Sequence, residues 1–204
     1  MIKINGVNRA STINDGTTPG TPIGTYHMAD NPNIYEIQRI NNFEFVVSDI
    51  DGIVRTGTSQ TYPNAQEIIR MSVISCPIPH FTQNPIEVKR GNTTLKYAGV
   101  PSFGAGTIKL NDFIGADSVG VLQAWQNMSY NPMTEKVGHA SDYKKTCSLV
   151  EYSPDYQVVR TWKLYGCWVS ELREDEMNNE SNSKHTLSAT IQYDRAVLDT
   201  SSID

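Results

Sequence analysis

The chain has 204 residues, 38% hydrophobic and 19% charged, enough for one domain with a substantial core and room for an appended arm. Its formal net charge is −5, which excludes a nucleic-acid grip built on basic patches. Ten tyrosines, fourteen glycines and ten prolines weight it toward strands and turns.

The N-terminal MIKINGVNRA carries no apolar run, and no later stretch reaches membrane-spanning length. These features predict a chain that stays soluble in a cytoplasm. Residues 9 to 33, with DGTTPGTPIGT at their centre, lack helical and strand periodicity. They read either as an extended arm that orders on a neighbour or as a plain linker.

Strand signals follow. In NFEFVVS, Phe43, Phe45 and Val47 alternate with polar positions, as a half-buried strand requires. IIRMSVISC, Ile68 to Cys76, is β-rich up to Pro77 and predicts a second strand. PIEVKRGNTTLKYAG predicts a hairpin turning at Gly91-Asn92, with the glycine first. GTIKLNDF adds a short strand. Asp117 or Ser118 caps a helix in which Val121, Leu122, Trp125 and Met128 recur at helical spacing, and Asn131-Pro132 ends it. Met133 to Asp142 reads as a loop.

Two strands, Lys144–Tyr152 and Tyr156–Cys167, flank Ser153-Pro154-Asp155, where proline suits the second position of a type I turn. On the second of them Val158, Trp162, Leu164 and Trp168 share one parity. The last strand places Leu187, Ala189, Ile191 and Tyr193 on one face, with Thr186, Ser188, Thr190 and Gln192 opposite. Trp125 and Trp162 are expected in the core. The fold class predicted is mainly β: a sandwich or barrel of antiparallel strands with one flanking α-helix.

No catalytic constellation emerges. Ser153 sits in a tight turn without a glycine-flanked elbow, and Asp155 suits turn closure better than proton transfer. His27, His80, His139 and His185 are scattered, and Phe103-Gly104-Ala105-Gly106 leads into a strand rather than a phosphate-binding helix. Cys76, Cys147 and Cys167 have no zinc-site spacing and read as buried thiols in a reducing compartment. The sequence therefore predicts no enzyme, no metal and no cofactor. Glu171, Glu174, Asp175, Glu176 and Glu180 stand against Arg173 alone, so this stretch holds a net −4 of the chain's −5. It reads as a solvated loop or as a functional electrostatic surface.

The run from Trp125 to Leu172 carries a resemblance. Trp125, Asn131-Pro132, Gly138, Tyr143-Lys144, Ser153-Pro154-Asp155, then Trp162, Leu164, Gly166 and Trp168 occur in one order. That order, with VKRGNTTLKYAG and the terminal YDRA, resembles the tail tube proteins of contractile-tailed bacteriophages, a fold shared with type VI secretion ring proteins. The resemblance spans residues 42–196, leaving 1–41 as an extended arm or loop and 197–204 as a tail. It implies hexameric rings stacked into a hollow tube, with Asn131, Pro132, Gly138, Tyr143 and Lys144 at self-assembly contacts. It further implies a virion tail assembled in the bacterial host cytoplasm. The partners would be sheath, baseplate and tape-measure proteins, with double-stranded DNA passing through unbound and no membrane involved. The alternatives are a type VI or bacteriocin tube ring, an effector-carrying ring, or a virion glycan-binding β-sandwich.

Overall fold

The computed structural model describes residues 3–4, 7–8, 37–180 and 182–199. The chain divides into two compact units, Met1–Ile40 and Asn41–Asp204. In the first, β1 (Lys3–Ile4) pairs antiparallel with β2 (Val7–Asn8). The stretch 9 to 33, read above as arm or linker, lies outside the described residues.

The second unit begins with β3 (Phe43–Val47), then the short β4 (Ile53–Val54) and β5 (Thr61–Tyr62), helix α1 (Ala65–Ser72) and β6 (Val73–Ser75). Next come β7 (Phe81–Gln83), β8 (Ile86–Arg90), β9 (Thr93–Tyr97), β10 (Pro101–Phe103) and β11 (Gly106–Asn111). Helix α2 (Ser118–Ser129) leads to β12 (Tyr130–Asn131), β13 (Lys136–Val137) and the single turn α3 (Ala140–Tyr143). The long strands β14 (Lys145–Tyr152), β15 (Val158–Glu174), β16 (Thr186–Gln192) and β17 (Arg195–Asp199) complete it.

Seven strands form one antiparallel sheet in the order β3-β14-β15-β16-β11-β6, with β17 joined to β15. β15 belongs to both halves: residues 161–165 pair with β17, and residues 168–174 with β16. The sheet curls into a half-barrel because this strand bends at Gly166, which has φ 69°. Such a backbone favours glycine, and a Cβ there would lie 2.1 Å from an Asp194 carboxylate oxygen. Around the bend the pairing slips between Lys145↔Cys167 and Cys147↔Leu164.

That slip corrects one reading. Leu164 is buried before the bend and Cys167 and Val169 after it, so Trp168 does not share Leu164's face. A one-residue shift exchanges the faces of a strand. Trp162 is half-buried rather than fully enclosed, whereas Trp125 is 1% exposed.

The core lies between the sheet and its helices. Leu187, Ala189, Ile191 and Tyr193 point into it from β16 and its end, as their alternation predicts. Val121, Leu122, Ala124 and Trp125 join the same core from α2, which packs on β15. Asp117 caps α2 by accepting from the Gly120 N–H at 3.0 Å, and it also binds the Tyr62 hydroxyl. Burial, then the Asp117 bond, raises the Tyr62 pKa.

A second correction concerns Ile68 to Ser72, which belong to the helix Ala65–Ser72 rather than to a strand, so two helices of two turns or more flank the sheet. Ala65, Ile69 and Ser72 are buried at helical spacing. The cap comes from afar, because Asp51 accepts the Gln66 N–H at 2.8 Å while Asn64 makes no side-chain cap. The β-rich reading holds only from Val73 to Ser75. The Ser153 hairpin forms as expected, with Tyr156 N–H donating to Ser153 O at 3.0 Å and Tyr156 at φ 61° completing a three-residue loop. β17 continues through Val197, Leu198 and Asp199, residues the sequence assigns to a tail.

Candidate assembly surfaces

Between β6 and β11 the chain leaves the sheet as an arm. At its base β7 pairs with β10, Phe81 opposite Phe103; at its tip β8 pairs with β9, from Ile86↔Tyr97 to Arg90↔Thr93. The base is tied down by a ring contact between Phe103 and Tyr193, centroids 6.1 Å apart, and by the Tyr193 hydroxyl donating to His80 O at 3.4 Å. Among the described residues the tip has no such support, and every residue from Phe81 to Ala98 is exposed.

Register sorts the tip into two faces. Ile86 pairs with Tyr97 and Val88 with Leu95, a contiguous apolar face whose members are 42–56% exposed. On the opposite face Glu87 pairs with Lys96, with a 3.4 Å ion pair between them. Lys89, Arg90 and Lys96 outnumber Glu87 on an otherwise acidic chain. The sequence revealed this hairpin but not its isolation, since strand alternation looks the same whether a core or a neighbour covers it.

Beside the arm's base lies a groove of about 510 Å³, lined by Phe81, Phe103 and Trp162 and by Ala196, Val197 and Leu198 of β17. Its walls are mainly apolar, and it is an open cleft rather than an enclosed cavity. Among the described residues β17 pairs with β15 alone.

The residues expected at assembly contacts make bonds within the subunit. Asn131 Oδ1 accepts from the Met133 N–H at 2.9 Å and the Thr134 N–H at 3.3 Å, shaping a turn at exposed Pro132. The β12–β13 ribbon and α3 thus replace the loop expected from Met133 to Asp142. Gly138 donates to Ser129 O at 3.0 Å, and a Cβ there would sit 1.8 Å from the Met128 carbonyl oxygen, so the ribbon lies hard against the end of α2. The Tyr143 carbonyl accepts from Trp125 Nε1 at 2.8 Å, and its ring meets Trp168 edge-on at 6.0 Å. Lys144 Nζ bonds Asp194 at 2.7 and 2.9 Å, beside the Gly166 bend; that bond raises the Lys144 pKa. Four of the five residues therefore hold one corner together, while Met133 and Val137 stand 72% and 77% exposed on the ribbon.

The acidic stretch is half strand. Glu171 and Glu174 lie in β15, and Asp175, Glu176 and Glu180 follow it, all exposed. Arg173 pairs with Glu171 at 2.7 Å. Asp175 accepts from the Thr186 N–H at 3.2 Å and from its hydroxyl, which lowers the Asp175 pKa and closes the β15–β16 turn. Ser153 donates to Asp155 inside its own turn. His185 Nδ1 lies 3.1 Å from Asp112, apart from His80 and His139, and His27 falls outside the described residues. Among the described residues no three His, Cys, Asp or Glu side chains are grouped to hold a metal. These arrangements close turns and join surfaces.

Comparison with known proteins agrees with that geometry. The model of the T4-like virus tail tube protein gp19 family matches residues 41–197. Curated proteins give no match by sequence. Among solved structures, the sheath/tube terminator of an extracellular contractile injection system, PVC, is 18% identical with TM-score 0.57, covering 81% of this chain and 98% of that one. The sheath–tube complex of that system is 16% identical with TM-score 0.56, covering 86% and 97%. The tube-terminating cap of the anti-feeding prophage is 16% identical with TM-score 0.55, covering 81% and 92%.

Proposed function

The chain belongs to the T4-like virus tail tube protein family, and we propose that its copies assemble head-to-tail into hexameric rings stacked as a phage tail tube. The family is one of structural tube proteins. The observation that carries self-assembly is the arm tip. A lone two-stranded hairpin is marginal in water, yet this one leaves Ile86, Val88, Leu95 and Tyr97 uncovered on one face. With Phe81 and Val100 the exposed apolar surface reaches the order of 400 Å², the size at which patches mark interaction sites. A neighbouring copy is the cover a tube supplies. The ribbon bearing Met133 and Val137, braced by Asn131, Gly138, Tyr143 and Lys144, supplies a second contact in this reading.

The tube would lie inside a sheath, rise from a baseplate, enclose a tape-measure protein and then pass double-stranded DNA. The net charge of −5 supports passage without binding, since cationic contacts to phosphate would add up along a channel. Rings of Glu171, Glu174, Asp175, Glu176 and Glu180 multiply that field sixfold at each layer, toward the lumen or toward a sheath. A second reading follows from the matched injection-system structures: the tube of a contractile injection system that passes cargo other than DNA.

Negative-stain microscopy of the purified chain tests assembly. Long tubes are expected from the wild type, and monomers or isolated rings from Val88→Asp/Leu95→Asp. Equal tubes from that variant would refute the arm's role. Nuclease-protected DNA in native particles separates the phage reading from the injection reading.

A further inference from the structure

Tyr193, 8% exposed just beyond the end of β16, touches both limbs of the arm where they leave the sheet. Its ring meets Phe103 on the returning limb at 6.1 Å, and its hydroxyl donates to His80 O on the outgoing limb at 3.4 Å. We propose that Tyr193 is a positioning residue which, with the contact between Pro77 and Gly106, sets the angle at which the arm projects from the free subunit. The consequence for assembly rests on the tube reading; the angle itself belongs to the single chain.

A residue that positions another must first be held itself. Asp194, next in the chain, donates its N–H to Tyr165 O at 2.9 Å and binds the Lys144 ammonium, so Tyr193 stands on the corner at the Gly166 bend. The limbs are stiff where it meets them. Pro77 and Pro79 fix two φ angles of the outgoing limb, and Pro79 is buried. The two limbs also close on each other without room to slide. A Cβ at Gly106 would lie 2.9 Å from the Pro77 ring, and one at Gly99 would lie 2.0 Å from Asn84 O. Phe103 meets Phe81 in turn, centroids 5.8 Å apart, which joins the base into one packed unit with Tyr193. Length makes the angle matter. From Phe81 to Arg90 the limb reaches up to about 30 Å at roughly 3.3 Å per residue, so a swing of about 10° carries its end about 5 Å. A ring closes only if each copy meets the next at one fixed rotation. An arm set in advance also loses less conformational freedom on binding.

The test measures the angle in the free subunit. Spin labels go on Glu67→Cys of α1 paired with Thr82→Cys at the arm's base or Lys89→Cys at its tip, all exposed positions, in a Cys76→Ser background. Cys147 and Cys167 are buried. Pulsed electron paramagnetic resonance, below the concentration at which the chain assembles, should give one narrow distance for the Thr82 pair. Tyr193→Leu should broaden it, and Tyr193→Phe, which keeps the ring, should return it to the narrow value. A residue that served only the core would lower the melting temperature in Tyr193→Leu and leave the distance alone. Gly106→Ala measures the same angle without touching Tyr193: by pushing Pro77 aside it should shift the mean distance of the Lys89 pair by a few ångströms. A broad Thr82 distance without either substitution, or the same narrow distance in Tyr193→Leu, overturns the assignment. If Tyr193→Leu does not fold, an unchanged Lys89 distance in Gly106→Ala overturns it. A chain with narrow distances that forms no rings or tubes overturns the tube reading alone.

Discussion

Trp125→Ala removes the side chain that joins helix, corner and sheet. The ring is 1% exposed among Val121, Leu122 and the sheet's inner face, and its indole N–H donates to Tyr143 O at 2.8 Å. Truncating a fully buried Trp costs about 3–5 kcal/mol through lost transfer energy and the cavity left behind. Leaving the Tyr143 carbonyl without its donor adds about 1 kcal/mol or more. With a urea m-value of roughly 2 kcal/mol per molar, a loss of about 4 kcal/mol moves the unfolding midpoint by about 2 M. Trp125→Phe narrows the difference, since it keeps a six-membered ring while deleting the donor and the smaller part of the indole. Its expected cost is about 1–3 kcal/mol. The assay is equilibrium urea unfolding followed by circular dichroism, with equal m-values required for the comparison. A midpoint shift below about 0.5 M for Trp125→Ala, on the same m-value, would refute the claim that this side chain holds α2 to the sheet.

Gly166→Ala should destabilise the fold by more than the ~1–2 kcal/mol of a left-handed backbone, because its Cβ would also displace Asp194 from Lys144; adding Asp194→Ala should restore part of that loss in thermal melts. Desolvation by burial pushes the Cys76 thiol up to about 12 and holds Cys147 well above its usual range, so a thiol reagent at pH 8 should leave both unmodified until the protein is denatured. These raised values favour the native state fully below the unfolded thiol pKa near 8.5, and that contribution is lost as pH rises toward 12; midpoints measured from pH 8 to 11 should therefore fall. Glu174→Gln/Glu176→Gln should leave the melting temperature unchanged while altering DNA ejection or sheath attachment, whereas Asp175→Ala should lower it by opening the Thr186 contact.

Alternation alone settled much of the fold. The pattern of Leu187, Ala189, Ile191 and Tyr193 predicts its buried face because only that register hides all four, and the structure agrees. Asp117, followed by apolar residues at helical spacing, located α2, and Ser153-Pro154-Asp155 located a hairpin whose turn chemistry is local. Such features are legible because each is decided within a few residues. What the sequence could not decide depends on groups distant along the chain. Ile68–Ser72 is helical because the sheet takes Ile69 on a helical face and Asp51, fifteen residues before Gln66, supplies the cap. Trp168 changes face because Gly166, held by Asp194, bends β15 and shifts its register. Tyr143 and Lys144 bond Trp125 and Asp194, eighteen and fifty residues away along the chain, partners that no local pattern announces. The arm's apolar face obeys the same period-two rule as a core strand, and only the tertiary structure shows that its residues are exposed. Local chemistry fixes which face of an element is apolar; the packing of the whole chain decides whether that face is a core or an invitation to a neighbour.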